Sequence, residues 1–217
     1  MNLEPAPTAP DEETAKLRQI LGGAREVFLR LGFDGASMGD IARAAGVSKG
    51  TLYVYFENKA ELFSALIAAE RKDAKRRFGL EEAGPDVAGE LRAYGRALLS
   101  HIGTTRNIQS VRTVVAIAEK FPKVGEDWYR DGPQRGLETL RAYLEAQVTA
   151  GRLDIADSTM AARQLQVLFQ AGIVNEMLYG VRATPDEAEV HRVVDEAVAT
   201  FLARYGAGAP RRALRGR

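Results

Sequence analysis

Cysteine is absent from this chain of 217 residues, which has only two histidines and one tryptophan. The absence of cysteine excludes disulfides and thiolate metal sites. The two histidines, His101 and His191, are isolated, and no group of residues has the spacing of a metal site. We therefore expect neither a metal nor a cofactor.

Long apolar runs are also absent. No stretch approaches the roughly 20 residues that a membrane span needs, so we expect no membrane partner. The start of the chain, MNLEPAPTAPDEE, lacks a basic segment followed by an apolar run. We expect no signal peptide and a soluble protein of the cytoplasm.

The common catalytic motifs are missing as well. The sequence contains no glycine-rich phosphate loop, no nucleophile elbow and no histidine-rich metal site. The sequence leaves two alternative classes of protein open. One is a helical enzyme, although we expect a protein without catalytic activity. The other is a helical architectural or scaffold protein that binds DNA without sequence choice and without a ligand.

The charge is nearly balanced overall, at a formal +1, but it is unevenly distributed. Residues 14–78 contain 12 Lys and Arg against 7 Asp and Glu, whereas residues 79–205 contain 14 against 18. A basic N-terminal domain is thus joined to an acidic body. This asymmetry is expected if the N-terminal end meets phosphate.

The most informative stretch is SMGDIARAAGVSKGTLYVYFENKAELF, at residues 37–63. Ser37, Ser48 and Asn58 each precede a short helical pattern and can cap it by accepting a hydrogen bond from a backbone N–H. Gly46 separates the first two patterns, at a point where the chain must turn sharply. This arrangement is typical of a helix-turn-helix that reads the DNA major groove.

The second helix of this pattern has distinct faces. Leu52 and Phe56 lie four residues apart and point inward, so the other side and its shoulders face outward. The outward residues are Gly50, Thr51, Tyr53, Val54 and Tyr55. Hydroxyls can bond base edges or phosphates, and a valine can contact a thymine methyl. Lys49 and Lys59 lie near helix starts and are placed for contacts to phosphate. A tight helical hairpin with a solvated polar face is the alternative.

Residues 16–66 resemble the DNA-binding domain of the TetR/AcrR family of bacterial transcriptional regulators, through AREVFLRLGFDGASM and DIARAAGVSKGTLYVYFENKAELF. The resemblance implies an all-α homodimer, with an N-terminal three-helix helix-turn-helix domain and a C-terminal helical bundle for ligand binding and dimerisation. It also implies binding to a palindromic operator in double-stranded DNA, in the nucleoid, and release by a small-molecule effector. Repression is the commoner outcome in the family, and activation stays open.

Carried over from the family, the DNA contacts fall on nine residues: Ser37, Met38, Ser48, Lys49, Gly50, Thr51, Tyr53, Tyr55 and Lys59. Two positions depart from the commonest family pattern. Met38 stands where threonine is frequent, and Val54 stands where a second aromatic residue is frequent. Both departures concern base preference more than DNA binding itself.

Helix-breaking glycines and prolines, together with helical periodicity, divide the chain into four parts. We expect a disordered arm at 1–13, the helix-turn-helix domain at 14–60, the ligand-binding and dimerisation domain at 61–205 and a flexible basic tail at 206–217. The first helix is expected to end at Gly32, and its Gly22-Gly23 pair costs up to about 1 kcal/mol per residue relative to alanine, which indicates close packing. Further helices are predicted at Lys59 to about 78, 86–103, 107–120, 123–150, 158–180 and 186–205.

The body has a second resemblance. The run FPKVGEDWYRDGPQRGLETLRAYLEAQVTAGRL, followed by MAARQLQVLFQAG, is similar to the AefR-type C-terminal domain found in part of the family. The similarity spans roughly residues 121–172. It indicates a subgroup but no ligand.

The last two predicted helices have apolar stripes wider than one intramolecular contact needs, so we predict that they form a four-helix dimer interface. The predicted interface residues are Leu165, Leu168, Phe169, Ile173, Val190, Val194, Ala197, Val198 and Phe201. The alternative is that both helices pack inside a monomer. By analogy with the family, bulky side chains in the body are predicted to line the pocket of a largely apolar effector: Tyr94, Leu98, Val115, Trp128 and Phe169. Ordinary core packing is the alternative for each of these side chains.

Overall fold

The computed structural model describes residues 9–72, 80 and 84–208. Their helices are α1 (Ala9–Gly35), α2 (Met38–Ala44), α3 (Lys49–Tyr55), α4 (Lys59–Lys72), α5 (Val87–Ile102), α6 (Thr105–Ile117), α7 (Pro122–Tyr129), a π-helical turn (Arg130–Gln134), α8 (Arg135–Thr149), α9 (Ser158–Gln170), α10 (Ile173–Leu178) and α11 (Glu187–Tyr205). The predicted all-α class is confirmed. In the described ranges, none of the helices has the length and apolar character needed to cross a bilayer.

The chain folds into two compact units. The first unit contains the described residues up to Lys72 together with Thr113–Trp128, and the second contains the rest of the described chain. The first unit is therefore larger than the predicted domain at 14–60. Apolar side chains of α4 and of Thr113–Trp128 are buried in the same core as the helix-turn-helix, among them Leu62 and Ile117.

Aromatic rings form the centre of the first unit. The ring of Phe28 lies 5.2 Å from that of Phe63, edge to face, and the ring of Phe33 lies 5.5 Å from Phe63 and 6.0 Å from Phe121. Edge-to-face pairs of this kind add stability beyond the area that they bury. They join α1, α4 and the segment that follows α6.

The two adjacent glycines of α1 have different roles. A Cβ built on Gly23 would lie 2.5 Å from the backbone nitrogen of Ala45, whereas a Cβ on Gly22 would meet nothing within 4 Å. The close packing predicted for both is therefore found at Gly23 alone, where α1 crosses the end of α2. The backbone leaves the helical conformation at Gly32 with φ of 71°, and one more helical turn follows.

Three of the predicted helices differ from the structure. The predicted helix 123–150 is interrupted by the π-helical turn around Pro133, because proline has no N–H to donate to the preceding turn. The predicted helix 158–180 breaks at Gly172, whose φ of 88° is left-handed. The helix that begins at Lys59 is described as far as Lys72, and its predicted extension to about residue 78 lies outside the described residues.

The core of the second unit combines apolar packing with a polar network. Gln147 is fully buried, and its amide nitrogen donates to Gly84 O and Tyr143 Oη, both at 3.0 Å. Its amide oxygen accepts from Arg152 Nε at 2.5 Å, while the Tyr143 hydroxyl donates to Glu90 Oε2 at 2.8 Å. Burial and this last hydrogen bond raise the pKa of Tyr143. The network ties the start of α5 to α8.

Candidate DNA interface

The helix-turn-helix is held by hydrogen bonds that its sequence predicts. Ser37 Oγ accepts from the backbone N–H of Asp40 at 3.1 Å, and Ser48 Oγ accepts from that of Thr51 at 2.9 Å. Gly46, with φ of 63°, makes the turn between α2 and α3. These three features confirm the predicted caps and turn.

A residue of α1 also supports the turn. Gln19 Nε2 donates to Ala45 O at 2.7 Å, which satisfies a carbonyl at the end of α2 that has no partner within its helix. No local pattern in the sequence predicts this contact, because 26 residues separate its two ends. This hydrogen bond holds the turn between α2 and α3 against α1.

The faces of α3 match the prediction. Leu52 and Phe56 are buried in the core of the first unit, whereas Val54 is 84% exposed and is joined on the surface by Tyr53. Ser48, Lys49 and Gly50 are exposed at the start of the helix, and Thr51 is half-buried beside them. Met38 and Tyr55 are half-buried and pack against the core, so only part of each side chain is available to a partner.

Hydroxyl groups near this surface already have partners. Ser48 Oγ and Thr51 Oγ1 lie 2.8 Å apart, and Ser37 Oγ donates to Asp40 Oδ2 at 2.5 Å. The hydrogen bond from Ser37, helped by Arg43, lowers the pKa of Asp40. Asp40 is therefore ionised at neutral pH, and Arg43 balances its charge from 3.0 Å away.

The two lysines predicted to contact phosphate lie in different surroundings. Lys49 is exposed and lies across Gly39, where a Cβ would come within 2.9 Å of Lys49 Cε. Lys59 is half-buried, and its ammonium donates to backbone carbonyls at and just beyond the end of α1, including Ala36 O at 2.8 Å. Of the two lysines, Lys49 is therefore the more accessible to a phosphate.

Val54 is the residue that the predicted contact set omitted, although its outward direction was evident from the helical period. It is more exposed than Tyr53, which that set included. The signal that identifies it is its departure from the aromatic residue frequent at this position in the family. An exposed aliphatic side chain at the middle of α3 can contact a thymine methyl.

Most of the predicted dimer residues are buried within a single chain. Eight of the nine belong to the core of the second unit, because they face other helices of the same unit: Leu165, Phe169, Ile173, Val190, Val194, Ala197, Val198 and Phe201. A side chain with almost no exposed surface cannot be offered to a partner, so this part of the prediction is corrected. The ninth residue, Leu168, is partly buried and lines a groove of about 530 Å³ between α9 and α11.

Apolar surface along this groove remains exposed. Val167 is 69% exposed, and Met160, at the start of α9, is also exposed. The basic residues Arg163 and Arg204 line the groove too, and Arg204 stacks on the ring of Tyr205 at 4.8 Å. The helices predicted to dimerise are thus the ones that carry this surface, on residues other than the eight buried ones.

The five predicted effector residues divide between the two units. Tyr94, Leu98 and Phe169 are buried in the core of the second unit, and burial raises the pKa of Tyr94 to about 12. Val115 and Trp128 belong to the first unit, where Val115 is 71% exposed. The first three therefore belong to one core, in which the rings of Tyr94 and Phe169 lie 6.1 Å apart.

A capped helix-turn-helix with an exposed polar and aliphatic face on its second helix, followed by a helical body, defines a DNA-binding transcription regulator. Two family models match the chain. Residues 20–66 match the model described as "Bacterial regulatory proteins, tetR family", and residues 89–207 match "AefR-like transcriptional repressor, C-terminal domain". The chain belongs to the TetR family of bacterial transcriptional regulators, as both resemblances predicted.

Curated relatives are transcription regulators as well. The chain is 26% identical over 190 residues to the HTH-type transcriptional regulator SrpR of Pseudomonas putida, covering 86% of this chain and 84% of the relative. It is 27% identical over 177 residues to the HTH-type transcriptional repressor BepR of Brucella suis biovar 1, covering 77% and 83%.

Solved structures agree in fold. A TetR-family regulator from Mesorhizobium loti MAFF303099 superposes with a TM-score of 0.81 at 27% identity, covering 89% of this chain and 98% of the other. The flavonoid-responsive regulator FrrA superposes with a TM-score of 0.78 at 29% identity, covering 90% and 100%.

Proposed function

We propose that this protein is a homodimeric repressor that binds a palindromic operator through α3 and releases it when a small, largely apolar molecule binds the second unit. It would act on the nucleoid, in the cytoplasm. The observation that carries the proposal is the outward face of α3, where Val54 is 84% exposed beside exposed Lys49 and Tyr53. An exposed aliphatic side chain on this face can contact the methyl group at the edge of a thymine.

Dimerisation is supported by the groove between α9 and α11. Exposed Val167 and Met160 beside it make an apolar surface that a second copy can bury. A closed two-fold dimer presents the same patch from both copies. Its two α3 helices would enter successive major grooves, with half-sites about 34–36 Å apart.

An effector site in the second unit is supported by the set of Tyr94, Leu98 and Phe169. Two of these residues provide aromatic surface, which suits a largely apolar ligand, and the Tyr94 hydroxyl donates to Gly136 O at 3.5 Å. The name of FrrA, a structural relative, indicates a response to flavonoids in that protein. Here the ligand must bind more tightly to the form that does not fit the operator than to the form that does. A ligand with equal affinity for both forms would not shift the equilibrium between them.

Selection of bound fragments from random duplex DNA, followed by footprinting of the selected sequence, tests this proposal. We expect a protected palindrome. Diffuse protection without a preferred sequence would favour an architectural DNA-binding protein instead. For a candidate effector, binding isotherms with and without the operator should show reciprocal weakening.

Val54→Ala should reduce the preference for thymine at one position of each half-site. Removing a methyl group from a buried contact costs about 0.8 kcal/mol, so replacing that thymine by uracil should weaken binding to the natural chain roughly fourfold. The Val54→Ala variant should be insensitive to the same replacement. Fluorescence anisotropy with the paired operators measures both effects.

The control for this prediction is Lys49→Gln. It should bind every sequence more weakly, because phosphate contacts have no sequence information, but it should still distinguish thymine from uracil. Equal sensitivity to uracil in the natural chain and in Val54→Ala would contradict the assigned contact.

A further inference from the structure

Lys59 makes three contacts at the end of α1. Its Nζ donates to the backbone oxygens of Phe33, Asp34 and Ala36, at 3.3 Å for Asp34 and 2.8 Å for Ala36. A lysine ammonium has three N–H donors, so these three carbonyls match all of them. The carbonyls at a helix end have no partners within the helix. Lys59 satisfies them from 23 to 26 residues further along the chain.

The charge of Lys59 is also stabilised where it lies. Its Nζ is 4.5 Å from the centre of the Phe33 ring, within the range of a cation–π contact. The C-terminal end of a helix favours a positive charge. Burial lowers the pKa of Lys59, the charge of Asp34 opposes that effect, and the charge of Lys120 adds to it. The ammonium is thus partly withdrawn from water into an edge of the aromatic cluster.

The position of these contacts in the chain gives them a role. Ala36 and Lys59 flank residues 37–58, which contain both helices of the helix-turn-helix. By joining the two ends of this segment, the ammonium closes it into a loop. Closure removes conformational freedom from the segment and fixes where α3 begins and ends relative to α1.

Lys49 provides the contrast. Among the residues that the structure describes, it makes no hydrogen bond or ion pair, and it is exposed at the start of α3. A phosphate could bind Lys49 without displacing an existing partner. For Lys59 to reach a phosphate, it would have to leave its carbonyl partners and the Phe33 ring.

We infer that Lys59 is a positioning residue of the DNA-binding surface, whose ammonium clasps the ends of the helix-turn-helix, and that it makes no phosphate contact. The inference rests on the proposed DNA binding and revises the assignment that the family resemblance implied for this residue. Lys49 remains the phosphate contact.

The salt dependence of DNA binding tests the inference. Each phosphate contact contributes about 0.9 to the slope of log affinity against log salt concentration on duplex DNA. The full-length natural chain, Lys49→Gln and Lys59→Gln are titrated onto one 30-base-pair duplex of mixed sequence over a range of low salt concentrations. We expect Lys49→Gln to lose about 0.9 of slope, and Lys59→Gln to keep the natural slope while its affinity falls by a common factor at every salt concentration.

Lys59→Arg separates charge from geometry. An arginine retains a phosphate contact, but its planar guanidinium cannot direct three donors onto three converging carbonyls. We expect Lys59→Arg and Lys59→Gln to lower the melting temperature of the first unit alike, by about 5 °C or more, and Lys49→Gln to leave it unchanged. If Lys59→Gln does not fold, the melting temperature of Lys59→Arg decides, because the salt slope of that variant should be natural under either assignment.

Two results would overturn the inference: a loss of slope in Lys59→Gln equal to that in Lys49→Gln, or natural stability in Lys59→Arg. Either leaves the proposed DNA binding intact. If instead the natural chain ignores the duplex at low salt, the proposed function fails. The melting temperatures then still decide whether Lys59 is a clasp.

Discussion

Replacing Gly23 by alanine should destabilise the first unit by about 1–3 kcal/mol, the usual cost of inserting a methyl group into a filled space. The new Cβ would lie 2.5–2.7 Å from the backbone nitrogen, Cα and Cβ of Ala45. Because two of these atoms are backbone, no rotation of a side chain can relieve the contact, and α1 and α2 must move apart. Urea unfolding followed by circular dichroism measures the loss.

Gly22→Ala is the matched control, because it inserts the same methyl group one residue earlier in the same helix. A Cβ there meets nothing within 4 Å. Alanine is a better helix former than glycine by up to about 1 kcal/mol, so this variant should be as stable as the natural chain or more stable. Equal destabilisation by both substitutions would show that the crossing of α1 and α2 does not decide the result.

The substitution at Gly23 should also weaken DNA binding beyond its effect on stability. Ala45 directly precedes Gly46, which makes the turn into α3. A displacement of Ala45 therefore changes the direction of α3 and breaks the hydrogen bond from Gln19. Affinity for the selected operator, measured where the variant is still fully folded, should fall while that of Gly22→Ala is unchanged.

Val167→Glu should convert the protein to monomers. The side chain is 69% exposed on one chain, so a carboxylate there is solvated in the monomer and does not disturb the fold. In a two-fold dimer, each copy would bury one charge in the groove between α9 and α11, where we expect a desolvation cost of several kcal/mol per ion to exceed the attraction of Arg163 and Arg204. The dissociation constant of the dimer should rise at least about 1,000-fold, as measured by analytical ultracentrifugation.

Val181→Glu is the control for this variant. Val181 is 74% exposed in the second unit and lies outside the groove, so the same change of charge should leave the dimer intact. Operator affinity should follow the dimer, because a monomer loses the effective concentration that links the two half-sites. A Val167→Glu protein that remains a dimer would place the interface elsewhere.

The helix-turn-helix was predictable from sequence because its signals are local. Ser37, Ser48 and Gly46 act within a few residues of themselves, and the period of α3 alone separates Leu52 from Val54. Helix interruptions farther along were missed because their signals are weaker: Pro133 produces a π-helical turn inside a continuous helix and Gly172 a left-handed residue. An apolar stripe predicts both an interior helix and an interface helix, so the predicted dimer and effector residues were chosen without knowledge of burial.

By itself, the sequence determined the all-helical class, the position of the helix-turn-helix and the face of α3 that points outward, because caps, turns and helical period depend on neighbouring residues. Only the tertiary structure decided that Lys59 faces the end of α1, that Gly23 and not Gly22 is needed at a helix crossing, and that exposed apolar surface lies along the groove between α9 and α11. The physical reason is that each of these facts depends on which atoms meet across segments distant in the chain.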